Sequence, residues 1–367
     1  EMCIRDRVMG GDIAAWCALR GLDVTLQDRE QKYIDPAMKR AGKLFAKRIR
    51  DDDDRAAATA RLRSDVEGAG VAEADLIIEA IFENLEAKKA LYAEVEKTMK
   101  PGAILATNTS SIRLEDLRTE LREPQRFIGI HFFNPVALMP LVEIIRCGDT
   151  EQEALNHGFA FVKAIGKFPL ECNSSPGFVV NRILAPYTSE AMHLVQEGVG
   201  LADIDEAAMA FGMPVGPVEL VDNVGLDVVL HVAEVLGAET QGSVADQLRG
   251  MVEAGKLGRK SGQGFYEWVD GKAVKPPRNP SSVPADIEDR LVLAMVNEAV
   301  ACLSDGVVTD PDLLDAGVIF GTGFAPFRGG PLNYARERGV AEVRDRLEQL
   351  AAAHGARFKP HPGWSAL

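Results

Sequence analysis

The sequence predicts an α/β fold, a doubly wound and largely parallel sheet, followed by a duplicated all-α domain. Three observations point there. Up to about residue 148, short β-branched runs alternate with amphipathic helical stretches, as strands joined by crossover helices do. From 176 to 235, and again from 284 to 350, apolar positions recur at helical spacing with almost no strand signal. These two stretches also resemble each other. EAMHLVQEGVGLADIDEAAMAFGMPVGP (190–217) aligns with EAVACLSDGVVTDPDLLDAGVIFGTGFAPFRGGP (298–331), with Glu190 on Glu298 and Gly198 on Gly306 at one offset. Shared order over so long a stretch favours duplication over chance helix similarity.

Taken in order, VMGGDIAAWCALRG (8–21) reads as the end of a phosphate-binding turn and the helix leaving it, with small residues where helix meets sheet. Gly10 supplies the last glycine of a G-x-G-x-x-G turn. Asp28 ends the next strand, DVTLQD (23–28), at about the 20-residue spacing where a carboxylate meets an adenosine ribose, favouring NAD over NADP. Lys39, Lys43, Lys47 and Arg50 then recur on one helix face, a local basic stripe suited to phosphates. Most such stripes are only solvated, and DDDDR (51–55) lies beside this one. The remaining strands are ADLIIEAI (74–81), AILATNT (103–109), FIGIHFF (127–133) and LVEIIRC (141–147). His131 closes the fourth of these five runs, so its imidazole belongs at the carboxyl edge of the sheet, where open α/β sheets bind ligands. Glu143, in the next apolar strand, needs a partner, because burying it alone would cost several kcal/mol. Paired with His131 it would fix the ring tautomer and leave the other nitrogen to take a proton. From the residues alone, a structural His–Glu bond in the core stays open.

Composition narrows the function classes. A net charge of −14 offers no global basic surface for nucleic acid. No apolar run reaches the roughly 18 residues of a membrane-spanning helix, and no signal peptide is evident. The cysteines at 3, 17, 147, 172 and 302 are far apart, with neither CxxC nor metal-ligand spacing. They read as reduced, buried thiols of a cytoplasmic protein without a metal.

IEAIFENLEAKKALY (78–92), ATNTSS (106–111), IHFFNPVALMPLVEII (130–145) and SPGFVVNRIL (175–184), in that order, resemble the L-3-hydroxyacyl-CoA dehydrogenase family, and the likeness covers essentially everything from Val8 onward. With the helical duplication and FGTGFAPFRGGPLNYARE (320–337), the likeness is nearest to the dehydrogenase half of multifunctional fatty-acid oxidation alpha subunits, in which an enoyl-CoA hydratase/isomerase domain comes first. The resemblance implies a Rossmann-type domain and NAD-dependent oxidation of (S)-3-hydroxyacyl-CoA to 3-oxoacyl-CoA in β-oxidation. It implies His131 as general base, Glu143 as its orienting acid, and Ser110 and Asn181 at the substrate oxygen. For NAD it implies Met9 and Gly10 at the turn, Asp28 at the ribose, Ile81, Phe82 and Glu83 beside the nucleotide, and Lys88, Ser110 and Asn134 towards the nicotinamide. Tyr334, in GGPLNY, matches a tyrosine near the substrate. Each of four has a plainer reading: Ser110 as a helix N-cap, Asn181 as a helix-surface amide, Lys88 as a solvated lysine, Tyr334 as a core aromatic. Implied partners are an acyl-CoA substrate, an upstream hydratase domain, a thiolase subunit and further copies of the chain in an oligomer.

The expected boundaries are 8–170 for the nucleotide domain, 171–270 for the first helical domain, 271–284 for a linker and 285–367 for the second repeat. GRKSGQGFYEW (258–268) is expected to be a tight structural loop held against the nucleotide domain. EMCIRDR (1–7) does not fit. Against the family's G-x-G-x-M-G-G, Arg5 and Arg7 stand where the first two glycines belong, and MCI reads as too short to be the missing central strand. Residues 1–7 are therefore expected to be foreign to a native sequence beginning near Val8, replacing its first strand or leaving it missing. The chain is then expected to bind NAD poorly and to be unstable. The alternatives are a dehydrogenase of short free hydroxy acids on the same plan, or a non-catalytic fragment with a broken turn.

Overall fold

The computed structural model describes residues 2–5, 9–236 and 243–367. The chain divides into two compact units, Glu1–Ser175 and Pro176–Leu367.

The first unit is built on β1 (Met2–Arg5), β2 (Val24–Gln27), β3 (Leu62–Asp65), β4 (Leu76–Glu79), β5 (Ile104–Thr107), β6 (Phe127–Phe132), β7 (Leu141–Arg146) and β8 (Phe168–Asn173). They form one sheet in the order β3-β2-β1-β4-β5-β6-β7-β8. The connecting helices are α1 (Met9–Leu19), α2 (Gln31–Arg48), α3 (Asp52–Arg61), α4 (Leu85–Thr98), the single turn α5 (Leu114–Leu117) and α6 (Gln152–Ala164). Every neighbouring pair is parallel except β6 and β7. The buried runs LIIE, ILAT and FIGIHF lack polar alternation because helices cover both faces of a doubly wound sheet. Two strands carry weaker sequence signals. LRSD is mostly polar, and FPLECN contains Pro169. β8 lies at the sheet edge, where a proline forfeits no ladder bond on its outer side.

The reading of residues 1–7 as unable to supply a central strand is corrected. Met2–Arg5 lies between β2 and β4, with Met2 opposite both Val24 and Leu76 and Arg5 opposite Glu79. MCI is long enough because its neighbours β2 and β4 are themselves only 4 residues long. The turn itself, Asp6–Val8 with the Arg7 substitution, lies outside the described residues. Beyond it, α1 packs closely on α2: a Cβ on Gly11 would come within 2.5 Å of the Ala37 Cβ.

The second unit is helical: α7 (Val180–Gln196), α8 (Leu201–Phe211), α9 (Pro217–Val224), α10 (Leu226–Val235), α11 (Ser243–Glu253), α12 (Ile287–Ser304), α13 (Pro311–Thr322), α14 (Pro331–Arg338) and α15 (Val340–His354). A small hairpin, β9 (Glu267–Val269) and β10 (Lys272–Val274), sits before α12. The duplication is visible in its ion pairs. Arg182 of α7 reaches Glu298 and Asp305, at 2.6 Å each. Arg290 of α12 reaches Glu190 and Glu197, also at 2.6 Å each. At the offset that pairs Glu190 with Glu298, Arg182 corresponds to Arg290 and Glu197 to Asp305. Each arginine thus crosses to the acids of the other repeat, the reciprocity of a two-fold interface inside one chain. The repeats share a second device. Asp205 accepts the Val218 N–H at the start of α9 (2.8 Å), and Asp315 accepts those of Leu332 and Asn333 at the start of α14 (2.7 and 2.9 Å). Burial nevertheless pushes the Asp315 carboxyl up to about 6, against the pull of those two amides.

Within the second unit, 258–284 is held by buried acids. Asp222 of α9 accepts from the backbone N–H groups of Phe265 and Tyr266 and from Trp268 Nε1, and Asp205 accepts from the Tyr266 hydroxyl. The expected linker is pinned as well, with Arg278 Nε and the Asn279 N–H on Asp203 (3.2 and 2.9 Å) and Lys275 on Glu219 (2.6 Å). Buried carboxylates must find donors, and a non-helical, Gly- and Pro-rich segment has backbone N–H groups to give.

Candidate active site

The antiparallel register of β6 and β7 sets His131 directly opposite Glu143. Cross-strand partners project from the same face, so a loop of ordinary length brings the two side chains together without further adjustment. His131 Nδ1 lies 2.7 Å from Glu143 Oε2, and both residues are buried. An ionised carboxylate only accepts, so Nδ1 carries the proton and donates it to Glu143. Nε2 is then the acceptor, and it lies 3.2 Å from Ser110 Oγ. The result is a chain Ser110–His131–Glu143 at the carboxyl edge of β5 and β6.

Ser110 sits on the bend after β5, well ahead of α5, whose N-cap position is Arg113; the helix-cap reading of Ser110 is overturned. Glu83 holds that bend. Its Oε1 accepts from the Ser110 N–H (3.0 Å), the Ser111 N–H (3.2 Å) and hydroxyl (3.1 Å), and the Thr109 hydroxyl. Burial would raise the Glu83 carboxyl, but Lys88 and these hydroxyls outweigh it and keep its pKa below the usual range. Asn108 adds a tie, its Oδ1 accepting from the Phe132 N–H at 2.8 Å.

Lys88 is not a solvated lysine. It is 1% exposed, with Nζ 2.7 Å from Glu79 Oε1 and 3.3 Å from Glu83 Oε2. Glu79, at the end of β4, also accepts from the Ile81 N–H (2.6 Å), the Tyr92 hydroxyl (2.6 Å) and Thr107 Oγ1 (2.8 Å). Glu79, Tyr92, Thr107, Thr109 and Ser111 were missed from the sequence. The available signal was Glu79, an acid at the end of an apolar strand, which needs a partner for the reason Glu143 does.

The other expected residues are placed as follows. Met9 and Gly10 begin α1, Asp28 follows β2, and Ile81 and the exposed Phe82 follow β4. Asn134 is exposed on the loop between β6 and β7. Lys39, Lys43 and Lys47 are exposed on α2, while Ile34, Ala37, Ala41 and Phe45 form its buried face. Arg50 lies beyond the end of α2 at Arg48, so it is not part of the helical stripe. Asn181 is in the first turn of α7, in the second unit. Tyr334 is buried: its ring packs edge-on against Phe211 and Phe324, and its hydroxyl accepts from Arg338 at 3.1 Å. Among the described residues there is no cluster of His, Cys, Asp and Glu suited to a metal, and no helix long and apolar enough to cross a membrane.

Residues 6–175 match the NAD binding domain of 3-hydroxyacyl-CoA dehydrogenase, and residues 177–268 match its C-terminal domain. The chain belongs to the 3-hydroxyacyl-CoA dehydrogenase family. That family consists of NAD-dependent oxidoreductases, and the first unit is its NAD-binding domain. The chain is 36% identical over 373 aligned positions to the fatty acid oxidation complex subunit alpha of Psychrobacter cryohalolentis, covering 94% of this chain and 51% of that one. It thus spans about half the length of the curated relatives it matches. Among solved structures, 3-hydroxybutyryl-CoA dehydrogenase from Escherichia coli superposes with a TM-score of 0.86 at 26% identity, covering 100% of this chain and 97% of that one. (S)-3-hydroxybutyryl-CoA dehydrogenase from Ralstonia eutropha gives a TM-score of 0.66 at 36% identity, covering 73% and 99%. The second helical repeat of this family member lies beyond both matched domains, so its kinship to the first rests on the shared offset and the exchanged ion pairs.

The first unit fits NAD at two points. α1 begins after β1 and Asp28 follows β2, and these strands are paired and parallel, so the helix N-terminus and the carboxylate share one edge of the sheet. A pyrophosphate suits the former and a ribose the latter.

Proposed function

We propose that the chain oxidises (S)-3-hydroxyacyl-CoA to 3-oxoacyl-CoA, with His131 as the base. The observation that carries this reading is the hydrogen-bonded chain Ser110–His131–Glu143. NAD, when bound, supplies the hydride acceptor. His131 Nε2 takes the proton of the substrate hydroxyl, and Glu143, already bonded to Nδ1, stabilises the imidazolium that forms. Ser110, released from Nε2, turns its hydroxyl to donate to the substrate oxygen. Met9, Gly10 and Asp28 hold the cofactor's phosphate and ribose, and Asn134 lies towards its nicotinamide. Glu83 and Lys88 act one step back, fixing the bend that carries Ser110.

The exposed stripe Lys39, Lys43 and Lys47 supports coenzyme A over a free hydroxy acid, since only the thioester brings phosphates. An upstream hydratase domain, a thiolase partner, an oligomer and a cytoplasmic location belong to the same proposal, supported by the fatty acid oxidation relatives. The test is NADH formation with 3-hydroxybutyryl-CoA against free 3-hydroxybutyrate. Turnover of the thioester alone is expected, and His131→Ala should lower it by roughly 10²-fold or more. Equal rates for the two proteins would sink the mechanism, and preference for the free acid would favour the short hydroxy-acid reading.

A further inference from the structure

Lys167, just before β8, is a buried lysine that the mechanism above leaves unused. Its Nζ donates to the carbonyl oxygens of Val136 (2.6 Å) and Met139 (2.5 Å), both on the loop joining β6 to β7. The same ammonium lies over the Trp16 ring of α1, 4.7 Å from its centroid. Trp16 is itself fixed by a bond from Nε1 to the Ile165 carbonyl (3.0 Å), and the Phe168 N–H bonds the Pro140 carbonyl at the loop's far end (2.8 Å). This loop separates the strand of His131 from the strand of Glu143 and carries Asn134, while α1 begins at the cofactor turn. A surface loop needs no buried cation to close it, and a buried ammonium is costly unless its protons are well used.

We propose that Lys167 is a positioning residue for the reaction: through two carbonyls and the Trp16 face it clamps loop 133–140 to α1, holding Asn134 in register with the cofactor helix. Its bearing on catalysis rests on the function proposed above; the clamp does not. Cys17 of α1 and Arg20, just past the end of that helix, are the titratable groups that act on it. Burial draws the amine down to about 8, with Cys17 opposing and Arg20 reinforcing, so the clamp loses its charge as pH rises through that value.

The experiment is amide hydrogen exchange over 134–140, with steady-state kinetics on the same samples, for wild type, Lys167→Met and Lys167→Arg. Lys167→Met, which keeps the stem and loses every donor, should exchange at least tenfold faster in this loop alone. Its KM for NAD should rise several-fold while the acid limb of the pH profile stays put. In wild type, exchange corrected for its intrinsic pH dependence should rise above about pH 8, and Lys167→Arg should abolish that rise because guanidinium stays charged. If Lys167→Met does not fold, Lys167→Arg carries the test. Its planar fork cannot repeat the geometry at both carbonyls, so exchange at neutral pH should rise about threefold. Unchanged exchange in the folded variants overturns the clamp. Faster exchange in a protein whose wild type turns over no 3-hydroxyacyl-CoA overturns the function and leaves the clamp standing.

Discussion

Glu143 acts on His131 through strand register, which leaves little room for a substitute. Glutamine at 143 would keep the shape but place an amide where Nδ1–H needs an acceptor, inviting the wrong ring tautomer. Glu143→Gln is therefore expected to fold normally and to lose roughly 10²-fold or more in kcat, with little change in KM, in steady-state assays. The pairing was legible in the sequence because an acid inside LVEIIRC demands a partner. Lys88 was not. A lysine on an amphipathic helix is usually solvated, and only the folded chain brings it between Glu79 and Glu83. Nor does any spacing along the chain show that Phe211 and Phe324 pack against the Tyr334 ring.

At the scale of elements, β1 and the turn after it decide how well the nucleotide is held. Met2–Arg5 completes the sheet between β2 and β4, so the edge that presents α1 and Asp28 exists. The arginines at 5 and 7 still stand where the family pattern has glycines, whose lack of a side chain permits close approach to the pyrophosphate. We expect weak NAD binding by the chain as it stands, and at least about tenfold tighter binding for the Arg5→Gly, Arg7→Gly variant, because a crowded phosphate contact is worth roughly 1.4 kcal/mol or more. Protein fluorescence titrated with NAD measures this, and equal affinities would falsify the idea. The strands that escaped notice, β3 and β8, did so because LRSD and FPLECN carry little apolar pattern, and edge position, a tertiary fact, is what allows such sequences to pair.

Across the whole molecule, the duplication creates paired but unequal ion clusters. Arg290 and Glu190 are each 1% exposed, whereas Arg182 is 18% and Glu298 28% exposed; the second acids, Glu197 and Asp305, are alike at 42% and 46%. Removing one partner of a buried pair strands the other, although Arg357 would still hold Glu190 at 2.6 Å. Arg290→Met is thus expected to cost about 3 kcal/mol, and Arg182→Met about 1 kcal/mol, in urea unfolding of the full chain. Equal losses would mean that the repeats share the load despite their different burial.

The sequence by itself determined the fold class, the duplication and the His131–Glu143 pair. Each rests on local periodicity, a repeat offset, or the rule that buried charge is paired. The tertiary structure alone decided that Met2–Arg5 is a central strand, that Glu83 and Lys88 brace the Ser110 bend, and that Lys167 ties a loop to α1. Those outcomes depend on which segments become neighbours, and a buried polar group's partner is chosen by proximity in space, which no spacing along the chain records.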